Sequence, residues 1–135
     1  MDQNTHRQEL LDLYAERPNY GKLAKKTHTA TLKNPSCEDI IDIELEVENG
    51  KIVNAGFTGG NCLISVVSSC VLLEKVKVMK VEDVLNLEKK DLDKFLGINI
   101  IPTRAKCELL ALEALKEALN GNRPSVVDLK EALRK

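Results

Sequence analysis

Ile41-Asp42-Ile43-Glu44-Leu45-Glu46-Val47-Glu48 alternates apolar and acidic residues and runs directly into Asn49-Gly50. Successive side chains of a strand point to opposite faces, so this pattern predicts a strand with one apolar face and one acidic, solvated face. Asn-Gly is the favoured two-residue hairpin turn, because both positions tolerate positive φ. The return strand then carries Val53, Ala55 and Phe57 on its apolar side. Upstream, Thr27 to Lys33 sets Thr27, Thr29 and Thr31 against His28, Ala30 and Leu32, and its β-branched content favours another strand. Asn34-Pro35-Ser36 breaks it. Strands joined this tightly form an antiparallel meander with one face left to be covered.

The cover is helical. Gly59-Gly60-Asn61-Cys62 ends the sheet, and Leu63, Val66, Val67, Cys70, Val71 and Glu74 then fall three or four apart, predicting a helix to about Met79. Val81 to Leu87 and Lys89 to Leu96 read as shorter helical pieces. Pro102 suits a first helical turn; Leu109, Leu112, Leu115 and Leu119 repeat through Arg104 to Leu119, and Asn120-Gly121 stops that helix. Gln3 to Arg17 forms an amphipathic N-terminal helix ended by Pro18, Asn19 and Gly21, and Ser125 caps a last helix to Leu133. The fold class is α+β: a three-stranded antiparallel sheet packed on one face by several helices. One domain spans residues 1–135, with the helix of about 124–134 peripheral to it.

Composition excludes several classes of function. Lys plus Arg is 20 against 21 for Asp plus Glu, a net charge of −1 across 135 residues, which speaks against a nucleic-acid binder held by a basic surface. Aromatics are 3% with no Trp, too few for base-stacking platforms. No apolar run approaches the ~20 residues that span a bilayer, and the start Met-Asp-Gln-Asn-Thr-His lacks the basic and apolar regions of a secretory signal. The expectation is a cytoplasmic protein. In a reducing cytosol its 4 cysteines are thiols, metal ligands or redox groups before they are disulfides.

Those cysteines form no C-x-x-C pair, so zinc-finger and thioredoxin patterns are absent. Their positions matter more. Cys37 lies in the loop between two strands, Cys62 follows a Gly-Gly loop at a helix start, and Cys107 sits near the start of another helix. Helix starts favour thiolates through unpaired N–H groups and the dipole. Asp39, two residues beyond Cys37, offers a hard oxygen ligand on the same side of the chain. Three thiolates and a carboxylate can hold a tetrahedral zinc ion or an iron–sulfur cluster. A carboxylate in place of one thiolate makes a cluster more labile, a property needed by a protein that must release it. A free cysteine often only packs, and Cys70 fits that description: it lies on the apolar stripe about two turns past Cys62, as a core thiol or a reserve ligand. His28 on a strand and His6 near the terminus read as surface residues.

Asn34-Pro35-x-Cys37-x-Asp39, Gly59-Gly60-x-Cys62-x-Ile64-Ser65-x-x-x-Ser69 and Arg104-x-Lys106-Cys107-x-Leu109 occur in this order. They resemble the NifU/IscU/SufU-type iron–sulfur cluster assembly scaffolds. Tyr14-x-x-Arg17-Pro18-Asn19-Tyr20-Gly21-Lys22-Leu23 resembles the family's opening, and the likeness covers about residues 7 to 120. The resemblance implies a SufE/NifU-like fold and a scaffold, not an enzyme. On it a transient cluster, typically 2Fe-2S, is built from iron and persulfide sulfur delivered by a cysteine desulfurase, then passed to acceptor apo-proteins. Cys37, Cys62 and Cys107 match the family cysteines, with Cys107 and Cys62 as persulfide-acceptor candidates. Asp39 matches the family aspartate, associated there with cluster lability.

This chain departs from the family at several points. Glu38 replaces the usual Gly, and Lys106 stands where housekeeping scaffolds carry a histidine ligand. That lysine resembles the SufU branch, yet the branch's insertion between its second and third cysteines is missing. Ile100-Ile101-Pro102-Thr103-Arg104 keeps one Pro and the cation of the family's chaperone-recognition segment. With histidine absent, the fourth ligand falls to Asp39, Cys70, water or an external thiol, with Asp39 favoured because it is local to Cys37. Lys106 is a solvated charge or a secondary group that lowers a thiol pKa or pairs with Asp39. Two further functions stay open at this point. One is a zinc-dependent sulfur acceptor, a sulfurtransferase component working with a desulfurase, in which zinc is held by Cys37, Asp39, Cys62 and Cys107. The other is a small interaction protein with unpaired thiols. Zinc in a purified sample would fit the cluster scaffold and the zinc-dependent sulfur acceptor alike, and a homo-oligomer could shield a labile cluster.

Overall fold

A computed structural model describes residues 3–34, 39–60, 62–97, 105–121 and 126–128, with backbone alone for 3–7, 105–107, 121 and 126–128. The elements in order are α1 (Gln3–Glu16), β1 (His28–Asn34), β2 (Asp39–Glu48), β3 (Lys51–Gly59), α2 (Leu63–Val76), α3 (Val81–Leu85), α4 (Lys89–Leu96), α5 (Ala105–Gly121) and β4 (Val126–Asp128). The sheet order is β3-β2-β1-β4. β1, β2 and β3 form the antiparallel meander that the alternation predicts, in registers running from His28↔Leu45 to Asn34↔Asp39 and from Ile41↔Gly59 to Glu48↔Lys51. Asn49 and Gly50 have φ of 52° and 77°, the positive pair that closes a two-residue hairpin.

The C-terminal expectation needs correction. Where Ser125 to Leu133 predicts a helix, Val126–Asp128 is a strand paired in parallel with Thr31, Leu32 and Lys33 of β1. Val126 and Val127 are β-branched, and the free edge of β1 offers their backbone hydrogen bonds that a peripheral helix would not make. The rest of 124–134 lies outside the described residues. α2 also stops at Val76, short of Met79, because the chain turns to meet β3: Val78 N–H donates to the Ile52 carbonyl at 2.8 Å, and Ile52 N–H to that of Met79 at 3.0 Å.

Ala30, Leu32, Ile41, Ile43, Leu45, Ile52, Ala55 and Phe57 bury the apolar side of the sheet; Val53, expected on that side, is exposed, and Ile52 takes its place beyond the register irregularity at Glu46/Val47. Against this side pack α2 and α5, whose buried residues, among them Val66, Val67, Leu73 and Val76 of α2 and Leu110, Leu112 and Leu115 of α5, complete the core. α2 is buried around most of its circumference, because α1, α4 and α5 pack on it as well as the sheet.

The acidic side of β2 is less solvated than its sequence predicts. The chain after α1 crosses it, and Glu44 is buried there, accepting Leu23 N–H at 2.8 Å and Lys26 Nζ at 3.0 Å. A run of Glu beside a run of Lys recruits the cationic segment as cover.

Candidate metal centre

The site is built where β2 begins, β3 ends and α2 begins. Gly60 N–H donates to the Ile40 carbonyl at 2.9 Å. Gly59 and Gly60 both have φ of 87°. A Cβ on Gly59 would stand 2.4 Å from the Ile40 carbonyl oxygen, and one on Gly60 would stand 3.0 Å from side chains of Ile41 and Val66. Only glycine turns the chain this tightly, so the Gly-Gly loop sets the start of α2 directly over the start of β2.

Cys62 is the N-cap of α2, in extended conformation with φ −91° and ψ 136°, and is partly exposed. Its carbonyl accepts Val66 N–H at 3.0 Å. Asp39 is 1% exposed. Its Oδ1 accepts Ile40 N–H at 3.1 Å, and its Oδ2 accepts the hydroxyl of Ser65. That hydroxyl also lies 3.0 Å from the Cys62 carbonyl oxygen. One serine therefore ties the carboxylate of β2 to the backbone of the cysteine that opens α2. The junction thus sets a carboxylate beside the backbone of a cysteine, and thiolate and carboxylate are donor types that suit a metal such as iron or zinc.

Cys37 lies outside the described residues. Lys106 and Cys107 are the second and third residues of α5 and are described as backbone alone. Cys70 is in the core, its Sγ directed 3.9 Å from the Leu13 carbonyl between α1 and α2. Burial pushes its thiol up to about 11 against the opposing charge of Arg17. Among the described residues no three of His, Cys, Asp and Glu converge.

Two features escaped the sequence reading. Ser65 stands inside the quoted Gly-Gly-x-Cys motif, but nothing in its neighbours announces Asp39 as its partner. Glu108, the residue after Cys107, is fully buried, with Lys89 Nζ at 3.4 Å and Asp93 beside it. The signal was available, since Glu108 occupies the apolar stripe that continues through Leu112, Leu115 and Leu119. Burial and the neighbouring Asp93 push its carboxyl up to about 7, while its hydrogen bond holds Asp93 low.

The fold is that of a small α+β domain in which Asp39 and Cys62 come together, through Ser65, at the start of α2. The family model for the NifU-like N terminal domain matches residues 5–124, and the chain belongs to that family. It is similar to the iron-sulfur cluster assembly scaffold protein IscU of Thermotoga maritima, 33% identical over 126 residues covering 82% of this chain and 89% of that protein. It is also similar to the iron-sulfur cluster assembly enzyme IscU of Drosophila melanogaster, 31% identical over 118 residues covering 84% of this chain and 75% of that one. In fold it matches the N-terminal part of a nitrogen-fixing NifU-like protein of Brucella abortus, with a TM-score of 0.70 at 17% identity, covering 83% of this chain and 90% of that one.

Proposed function

We propose that this protein is a scaffold for iron–sulfur cluster assembly, with Cys37, Asp39, Cys62 and Cys107 holding the cluster as cargo. The observation that carries the reading is the Ser65 bridge, which brings the Asp39 carboxylate to the start of the Cys62 helix in a chain of this family. Two features support a shared pocket. Cys37 belongs to the connection between Asn34 and Asp39, which are register partners. α5 is followed after only four residues by β4, which runs parallel to β1. A helix joined to a strand by so short a connection runs antiparallel to it, so Cys107 near the start of α5 belongs to the end of the sheet where β1 finishes.

The cargo is a 2Fe-2S cluster. A thiolate of Cys107 or Cys62 attacks the outer sulfur of a desulfurase persulfide, forming a new S–S bond and releasing the desulfurase thiolate. Two electrons from a separate donor convert each transferred sulfur to sulfide. Asp39, a harder ligand than thiolate, keeps the cluster transferable to acceptor apo-proteins. The protein acts in the cytoplasm as a carrier and not an enzyme; among the described residues no helix is long and apolar enough to cross a membrane. Nothing observed favours the zinc-dependent sulfur acceptor.

Anaerobic incubation with ferrous iron, cysteine and a cysteine desulfurase should give the visible absorption bands of a 2Fe-2S cluster. Cys62→Ser should abolish them, and Asp39→Ala, with water or an external thiol taking the vacated position, should retain the cluster several-fold longer against a chelator. One tight zinc and no cluster under strict anaerobiosis would overturn the reading.

A further inference from the structure

We infer that Ser65 is a positioning residue for the cargo site: its single hydroxyl proton competes with the metal for the Asp39 carboxylate, and so sets how readily Asp39 lets the cargo go. The inference rests on the reading of Asp39 and Cys62 as cargo ligands.

Ser65 is fully buried and Asp39 is 1% exposed, so the hydroxyl must find its acceptor within the protein. It has one proton and two acceptors in reach, Asp39 Oδ2 and, at 3.0 Å, the Cys62 carbonyl oxygen. A hydrogen bond to an ionised carboxylate is about twice as strong as one to a neutral carbonyl, so the proton rests on Asp39. A proton donated into a carboxylate lone pair weakens that carboxylate as a metal ligand. The second acceptor makes the exchange reversible. When a metal draws the charge of Asp39, the hydroxyl turns to the Cys62 carbonyl and is not left unsatisfied, which would otherwise oppose ligation. As the metal leaves, the proton returns to Asp39. The serine backbone is fixed meanwhile, since Ser69 Oγ donates to the Ser65 carbonyl at 2.8 Å within α2.

The test uses the full chain, anaerobic, loaded with Co²⁺, whose thiolate charge-transfer and d–d bands report the ligand set. Release into excess EDTA is timed for the wild type, Ser65→Ala, Asp39→Ala and the double variant. Ser65→Ala should keep the wild-type cobalt bands and release the ion about tenfold more slowly, the equivalent of one charge-assisted hydrogen bond no longer competing. In the Asp39→Ala background the serine substitution should change nothing, because its effect passes through that carboxylate. Ser65→Gly, which lacks the same hydroxyl, should reproduce the slowing, and thermal unfolding checks that each variant is folded. Unchanged or faster release from folded Ser65→Ala, or a slowing that persists without Asp39, overturns the inference and leaves the scaffold reading standing. Absence of thiolate-to-cobalt charge transfer in the wild type overturns the site reading and this inference with it.

Discussion

Glu44 and Glu108 are both buried carboxyl groups, and their surroundings push them in opposite directions. Burial alone would raise the pKa of Glu44, but the Leu23 N–H and the charges of Lys26 and Lys22 together outweigh it and hold the group below its usual 4.5. Glu108 has Asp93 beside it, so burial prevails and it binds its proton up to about pH 7. A group whose folded pKa is depressed stabilises the fold above its unfolded pKa and loses that contribution as the pH falls through the folded value. Glu44→Gln should therefore lower stability by about 1–2 kcal/mol at pH 6, and the deficit should shrink as the pH drops below 4.5. Urea midpoints for both proteins across pH 6 to about 3 measure this; a deficit constant with pH would show that Glu44 acts only by packing.

The element that most shapes this molecule is the outer edge of β3, which among the described residues has no neighbouring strand. At one end Phe57 donates to the Asn19 carbonyl at 3.0 Å and accepts Gly21 N–H at 2.7 Å. Gly56 is required there, because a Cβ would stand 2.6 Å from the Gly21 carbonyl oxygen. Asn19 then reaches α2, its Nδ2 donating to Glu74 at 3.0 Å while its Oδ1 accepts Lys77. At the other end Val78 and Met79 pair with Ile52, and between the two the Asn54 side chain takes Ala55 N–H at 2.9 Å. An edge covered in this way resists pairing with a second chain. The cover has a conformational cost at Val78, a β-branched residue held at φ 70° and 82% exposed. Left-handed backbone costs such a residue about 1–2 kcal/mol, partly regained by glycine, whose own chain entropy opposes it. Val78→Gly should thus raise the unfolding free energy by about 0.5–1 kcal/mol, readable as a higher Tm; a lower Tm would mean that the valine side chain makes a stabilising contact.

At the scale of the whole molecule, α5, whose third residue is Cys107, packs on β1 and β2, with Leu110, Leu112 and Leu115 buried. Leu115→Ala should cost about 2–5 kcal/mol by chemical denaturation, as a fully buried leucine leaving a cavity does; a cost under about 1 kcal/mol would mean that α5 is not bound to the sheet as described. The meander, its hairpin, the helical cover and the placing of Cys62 at a helix start were all legible in the sequence. They follow from period-2 and period-3.6 patterns, and from turn residues that act on their immediate neighbours. Cys70 was legible as a core thiol for the same reason. The tertiary structure alone decided that Val126–Asp128 would be a strand, that Glu44 would be covered, and that Ser65 would meet Asp39. Each of these joins residues distant along the chain, 26 positions apart for Ser65 and Asp39. Local pattern cannot specify which distant acceptor, edge or cation will satisfy a polar group; that is settled only when packing removes water and leaves the group few partners in reach.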